Sequence, residues 1–207
     1  MTSDAVQKPA SARQRLLDLA EERILQKGFG ATSIEELVAA AGITKSGFFY
    51  HFRDKAELAH AIMHRFMERD RQMLDEMFDR AKSLHDDPLH RFLIGLKLFE
   101  ELMSNLPDLH PGCLSASACY QEQLFDPQTR RLYQDVMLGW RSRFLGMLSE
   151  IAETRRPKME IDLVALADMV CALTDGAIIL SRGLKEKDAI AKQIRNYRTF
   201  ISLLFGA

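Results

Sequence analysis

Cysteine is scarce in this chain: there are three among 207 residues, an odd number without metal-ligand spacing. That argues against a disulfide-stapled scaffold and fits a reducing cytoplasm. No run approaches the roughly 18 uninterrupted apolar residues of a membrane span, so no membrane partner is expected. The opening residues, MTSDAVQKPASA, lack the apolar stretch of a secretory signal and are read as a flexible arm over 1–10. An excess of one charge is lacking too, since 28 basic residues face 29 acidic ones for a net charge of −1. Such a balance argues against indiscriminate nucleic-acid binding and confines any DNA affinity to one end. Strand alternation, internal repeats and low-complexity segments are absent. So are the glycine-rich phosphate loop, the HExxH pattern and the nucleophile elbow that would mark common enzyme classes. His60 and His64 stand four apart, a spacing a metal could use, but no third ligand is near. No cofactor, metal or catalytic residue is assigned.

What the chain does have is helical periodicity and core-forming residues, with 47% apolar and 28% charged positions. Six prolines fall at joints rather than inside periodic stretches. Pro88 follows Asp86-Asp87 and Pro127 follows Asp126, each an acidic cap with proline at the first helical position. Pro107 and Pro111 bracket one break and Pro157 marks another. The spacing predicts an all-α protein with helices at about 11–28, 33–40, 44–51, 54–81, 87–104, 113–123, 127–154, 160–182 and 186–204.

The segment TSIEELVAAAGITKSGFFYHFRDK, residues 32–55, carries the sharpest pattern. Ser33 and Glu36 have capping-box spacing, and Ile34, Leu37, Val38 and Ala41 form one helical face. Gly42 stands where a chain leaving a helix often needs positive φ. Thr44 can cap a second helix through Tyr50, and Asp54 with Glu57 opens a third. This is a helix-turn-helix. The first turn of its second helix offers two hydroxyls and a cation, Thr44, Lys45 and Ser46, suited to phosphate oxygens and base edges in a major groove. Tyr50 and His51 add polar tips, and Arg53 and Lys55 flank the unit with positive charge.

The run from Arg13 through Phe66 resembles the N-terminal DNA-binding domain of the TetR family of bacterial transcriptional regulators. The resemblance rests on a first helix ending in Gly-Phe-Gly, the Thr-Ser start of the second, Ala-Gly-Ile-Thr-Lys at the turn, and aromatics before Lys55. Many members carry Leu-Tyr-His-Tyr-Phe where this chain has Phe48-Phe49-Tyr50-His51-Phe52; the aromatic-polar order is kept, but the bases read are left open. The resemblance covers about a quarter of the chain. It implies a three-helix DNA-binding domain over 11–54 and a larger helical regulatory domain over 55–207, with about nine helices in all. It also implies a small-molecule pocket in the larger domain and dimerisation through the last two long helices as a four-helix bundle.

On these grounds the residues expected at DNA are Thr32, Ser33, Thr44, Lys45, Ser46, Phe49, Tyr50, His51 and Lys55. Ten methionines and one tryptophan fit a pocket for an apolar or aromatic small molecule, although each such residue could equally be ordinary core. The expected lining is Met63, Phe66, Met67, Phe99, Cys113, Ser117, Tyr120, Met137, Trp140 and Phe144. Ile190, Ile194, Tyr197, Ile201 and Leu204 follow a four-three rhythm, with Val170 and Thr174 on the preceding helix. This seam is expected at the homodimer interface, although such helices could equally pack only against their own subunit.

Cys113 opens a helix after Leu-His-Pro-Gly, where backbone amides can lower a thiol pKa. Its Gly-Cys-Leu run resembles a branch of the family in which a thiol near the pocket senses electrophiles or oxidants; a buried, inert cysteine is the plainer reading. The function expected is a cytoplasmic, ligand-responsive regulator, most often a repressor, bound as a dimer to a palindromic double-stranded operator. The alternatives are a thiol sensor, or a helical carrier or enzyme whose helix-turn-helix only packs.

Overall fold

A computed structural model describes residues 11–206, so the expected N-terminal arm lies outside the described residues. Among the described residues there are nine α-helices and one 3-10 turn, with no strand. The first three are α1 (Ala12–Lys27), α2 (Ile34–Ala41) and α3 (Lys45–His51). A long connector follows, α4 (Lys55–Leu84), then α5 (Pro88–Ser104) and the short α6 (Leu114–Cys119). The 3-10 turn Glu122–Leu124 leads to α7 (Pro127–Thr154), α8 (Leu163–Leu184) and α9 (Ala189–Phe205).

Caps set most of these starts. The carboxylate of Asp54 accepts from the Glu57 amide at 2.8 Å, and that of Asp87 accepts from His90 at 3.0 Å. Asp126 accepts from the amides of Gln128 and Thr129 at 2.8 and 2.9 Å. Each such cap contributes about 1 kcal/mol by satisfying backbone donors that the helix itself cannot reach. Several expected boundaries move, the ninth helix beginning at Ala189 rather than 186. The eighth helix begins at Leu163 because Asp162, not residue 160, caps it through the Val164 amide at 2.8 Å. The sixth stops at Cys119 and re-forms as the 3-10 turn, closed by the Leu124 amide on the Gln121 carbonyl at 2.9 Å. The connector continues to Leu84, beyond the expected 81.

Two apolar cores result. The head core gathers Leu16, Leu17, Ile24, Leu37, Phe48 and Phe52 around the first three helices. It is completed by Leu58, Ala59, Ile62 and Met63 from the start of α4 and by Leu114, Ala118 and Phe125 from the α6 region. A boundary at residue 54 would therefore divide this core. The second core is built where α5 lies against α9 and α7 against α8. Phe78, Phe92 and Phe144 meet at its centre with ring centroids 5.7–6.2 Å apart.

The expected dimer seam is corrected here. Val170, Ile190, Ile194, Tyr197 and Ile201 are all buried in the subunit's own core. The Tyr197 hydroxyl donates to the Leu166 carbonyl at 2.9 Å, tying α9 to α8 inside one chain. Thr174 borders a cavity and donates to the Val170 carbonyl at 2.8 Å. Their rhythm is that of intramolecular packing. The unpartnered face of α8 lies elsewhere: Val164, Met169, Ile179, Leu180 and Leu184 are exposed, as is Leu203 on α9.

Candidate functional site

In the head, α2 and α3 meet at Gly42, whose φ of 64° is the left-handed conformation a side chain would oppose. Phe48 and Phe52 are fully buried and anchor α3 from below. That leaves Thr44, Lys45, Ser46, Phe49 and Tyr50 on its outer side, with Tyr50 at 85% exposure the most prominent. His51 is half-buried and meets the Tyr50 ring edge-on at 5.0 Å, holding both aromatics in one orientation. The Thr44 hydroxyl accepts from the Gly47 amide at 3.0 Å and that of Ser33 from the Glu36 amide at 3.1 Å. The Glu36 carboxylate, the other half of the capping-box pattern, is drawn to Lys27 and Arg23. Lys45 touches Glu35 at 2.8 Å, a solvated pair that holds the lysine lightly.

Two residues expected at DNA turn inward. Thr32 is buried, and its hydroxyl donates to the Gly28 carbonyl at 3.0 Å. Lys55 donates to the Phe29 carbonyl at 2.6 Å and lies 4.3 Å over the Phe29 ring; burial lowers its pKa. Both brace the turn between α1 and α2. That turn also receives the side chain of Gln121, which accepts from the Gly30 amide at 3.1 Å. Phe125 stacks against Phe29 with centroids 4.6 Å apart.

Beneath the head lies a cavity of about 250 Å³. Its walls come from six helices, including Glu21 and Leu25 of α1 and Leu114 and Ser115 of α6. Five expected lining residues meet there: Phe66, Phe99, Cys113, Met137 and Trp140. The other five are corrected. Met63 belongs to the head core and Phe144 to the centre of the second core. Met67 borders a separate groove beside Arg71 and Leu74. Ser117 faces a small hollow near Ile24 and Phe125, and Tyr120 is 80% exposed. Helical spacing alone could not separate these faces, because α4 and α7 are apolar toward more than one neighbour.

The residues missed are acids. Asp70 stands on the stripe Phe66–Asp70–Met73, and Asp175 beside Thr174, both at the cavity wall. An acid inside an apolar stripe was the available signal. The Trp140 indole donates to the Asp70 carboxylate at 2.6 Å. Burial raises the pKa of both acids, and for Asp70 the charge of Asp175 adds to the rise.

Cys113 departs from the expectation of a lowered thiol pKa. Burial first, then the charge of Asp175, push it up to about 12 although it caps α6. A thiol held in the protonated form is a poor nucleophile. Burial likewise raises Cys171 to about 12, and it lowers the pKa of His110, which accepts from the Gly112 amide at 3.2 Å.

Comparison with known proteins agrees with this architecture. The family model described as bacterial regulatory proteins, tetR family, matches residues 16–62. The transcriptional regulator AcuR of Cereibacter sphaeroides is 23% identical over 171 residues, covering 83% of this chain and 76% of AcuR. The HTH-type transcriptional repressor BepR of Brucella suis is 28% identical over 157 residues, or 76% of this chain and 63% of BepR. A crystal structure of a TetR family regulator from Agrobacterium tumefaciens superposes with a TM-score of 0.76. That superposition covers 96% of this chain and all of the other, at 16% identity. The helix-turn-helix thus matches the DNA-binding segment of the TetR family of transcriptional regulators, and the helical body shares the fold of TetR family structures.

Proposed function

We propose that this regulator is a homodimeric repressor released from its operator by a small molecule bound in the cavity under the head. The observation that carries this reading is the cavity's construction. One of its walls is α1, a helix of the head, and another is the start of α6, after which Gln121 and Phe125 grip the α1–α2 turn. A molecule filling the cavity thus pushes on the head directly. It shifts the population toward a head position that no longer fits DNA, by as much as its affinity differs between the two positions, commonly about 1–3 kcal/mol.

The dimer reading is supported by α8. Leu163–Leu184 is long and apolar enough to cross a membrane by length and composition, yet one face already packs on α7 and α9. A helix apolar all round calls for cover on both sides. Ala165, Met169, Ala172, Gly176, Ile179 and Gly183 are exposed at four-three spacing, and nothing lies within 4 Å of a Cβ built at Gly176 or Gly183. Small residues in such a seam let two copies of the helix approach closely. A two-fold pair would set two α3 helices on successive major grooves, about 34–36 Å apart. Thr44, Lys45, Ser46, Phe49, Tyr50 and His51 would then face DNA, with Ser33 at the phosphate edge.

A binding selection against random duplex DNA tests this. Enrichment of a palindrome with half-sites about one helical turn apart supports the dimeric reading. Enrichment of single half-sites by a monomeric protein would overturn it.

A further inference from the structure

We infer that the cavity under the head is built for an organic cation with an aromatic or apolar body, whose positive group sits between Asp70 and Asp175. This deepens the ligand-released reading above and rests on it.

Buried carboxylates elsewhere in the protein have cationic partners. Glu21 meets Arg65 at 2.5 Å and also Arg69. Glu100, buried under α9, is clamped by Lys97, Arg195 and Arg198 at 2.9–3.3 Å. Among the described residues, Asp70 and Asp175 have no such clamp. Asp70 accepts one indole N–H and feels the charge of Arg143, whose guanidinium is paired with Asp75. Among the described residues, Asp175 is met only by the Cys113 thiol. Two carboxylates without a cationic clamp at the wall of one cavity favour a positive ligand, because desolvated charge is tolerated when it is paired.

An independent observation points to the same space. Ser115 is 1% exposed, lines the cavity, and its hydroxyl has no hydrogen-bond partner among the described residues. A buried hydroxyl left unpaired is costly, and a ligand N–H or oxygen would satisfy it. The remaining walls suit the rest of such a molecule. Phe66, Phe99 and Trp140 line the cavity, with Phe99 and Trp140 meeting edge-on at 6.1 Å. Aromatic faces attract a cation and shelter an apolar body at once. Among the described residues the only arginine at the wall, Arg69, is occupied by Glu21 and is half exposed, so the lining offers a bound anion little.

The test uses three molecules of one shape and different charge: 4-phenylbutylammonium, 4-phenylbutanol and 4-phenylbutyrate. Each is titrated calorimetrically into the full chain near neutral pH while emission from the single tryptophan, Trp140, is followed. The ammonium compound is expected to bind at least about tenfold tighter than the alcohol, to change Trp140 emission, and to bind tighter than the carboxylate by more. Asp175→Asn is expected to remove most of that preference. Equal or tighter binding of the alcohol or carboxylate overturns the assignment, as does no binding of the ammonium compound or binding that leaves Trp140 unchanged. Operator release, measured in parallel, separates the two readings. Release by the alcohol or carboxylate and not by the ammonium compound overturns the cation site and leaves the ligand-released regulator standing. Ammonium binding at Trp140 without release upholds the site and overturns the release mechanism.

Discussion

At the scale of single residues, Asp175 costs stability because burial disfavours its ionised form. Its folded pKa is raised above the unfolded value, mainly by burial, so the folded state holds its proton more tightly. Stability therefore falls as pH rises through the window between the unfolded and folded values, and the loss is complete above the folded one. Asp175→Asn is expected to raise the melting temperature at neutral pH. The gain should vanish below about pH 4, where wild type is protonated in both states. Asp70 faces the same cavity and adds to the trend, whereas Cys113 and Cys171 stay protonated throughout. On the outer side of α3, Lys45→Ala removes one mobile cation and only a solvated contact with Glu35. Folding should be unchanged, while operator affinity falls across all sequences and the salt slope of binding drops by about one unit. Residue roles were only partly legible in the sequence. Lys45 and Tyr50 are exposed where the turn pattern put them, but Lys55 bends back to the Phe29 carbonyl. A long flexible side chain next to a turn can serve DNA or the turn, and its type does not say which.

At the scale of elements, α5 and α4 approach closely because Gly95 presents no side chain to Phe78. A Cβ there would stand 2.2 Å from a ring held between Phe92 and Phe144. Gly95→Ala should cost about 1–3 kcal/mol through overpacking, read from chemical denaturation. Helix α8 offers a second test. On the proposed dimer, Ile179→Glu puts a charge into the seam without touching the subunit's core, and sedimentation should show monomers of native helicity. Elements were the most legible level: Asp54, Asp87 and Asp126 cap helices where the sequence put them. Faces were less so. In α9 the strongest apolar rhythm belongs to the intramolecular side, and in α8 the outer seam is written partly in alanine and glycine, which carry little hydropathy. Periodicity shows that a stripe is buried and leaves open which neighbour buries it.

At the scale of the whole molecule, head and body are joined by the connector α4 and by the grip of the α6 region on the α1–α2 turn. Gln121 fills the space over Gly28, where a Cβ would meet its amide at 2.5 Å, and accepts from Gly30. Gln121→Ala should cost about 1 kcal/mol and speed hydrogen exchange at the Gly30 amide and through the turn, leaving α8 and α9 protected. A uniform rise in exchange would argue that the two cores unfold as one unit. This long-range joint was not legible, because residues 30 and 121 are related only through the fold.

The exposed apolar face of α8 also bears on how much protein a cell must make. If two chains must meet along it before either reads DNA, the competent form grows with the square of chain concentration when the protein is dilute. Halving synthesis would then leave roughly a quarter of the operator-ready pairs. Expression level itself becomes an input to the switch, and a promoter held by this regulator would respond to growth and dilution even without an effector.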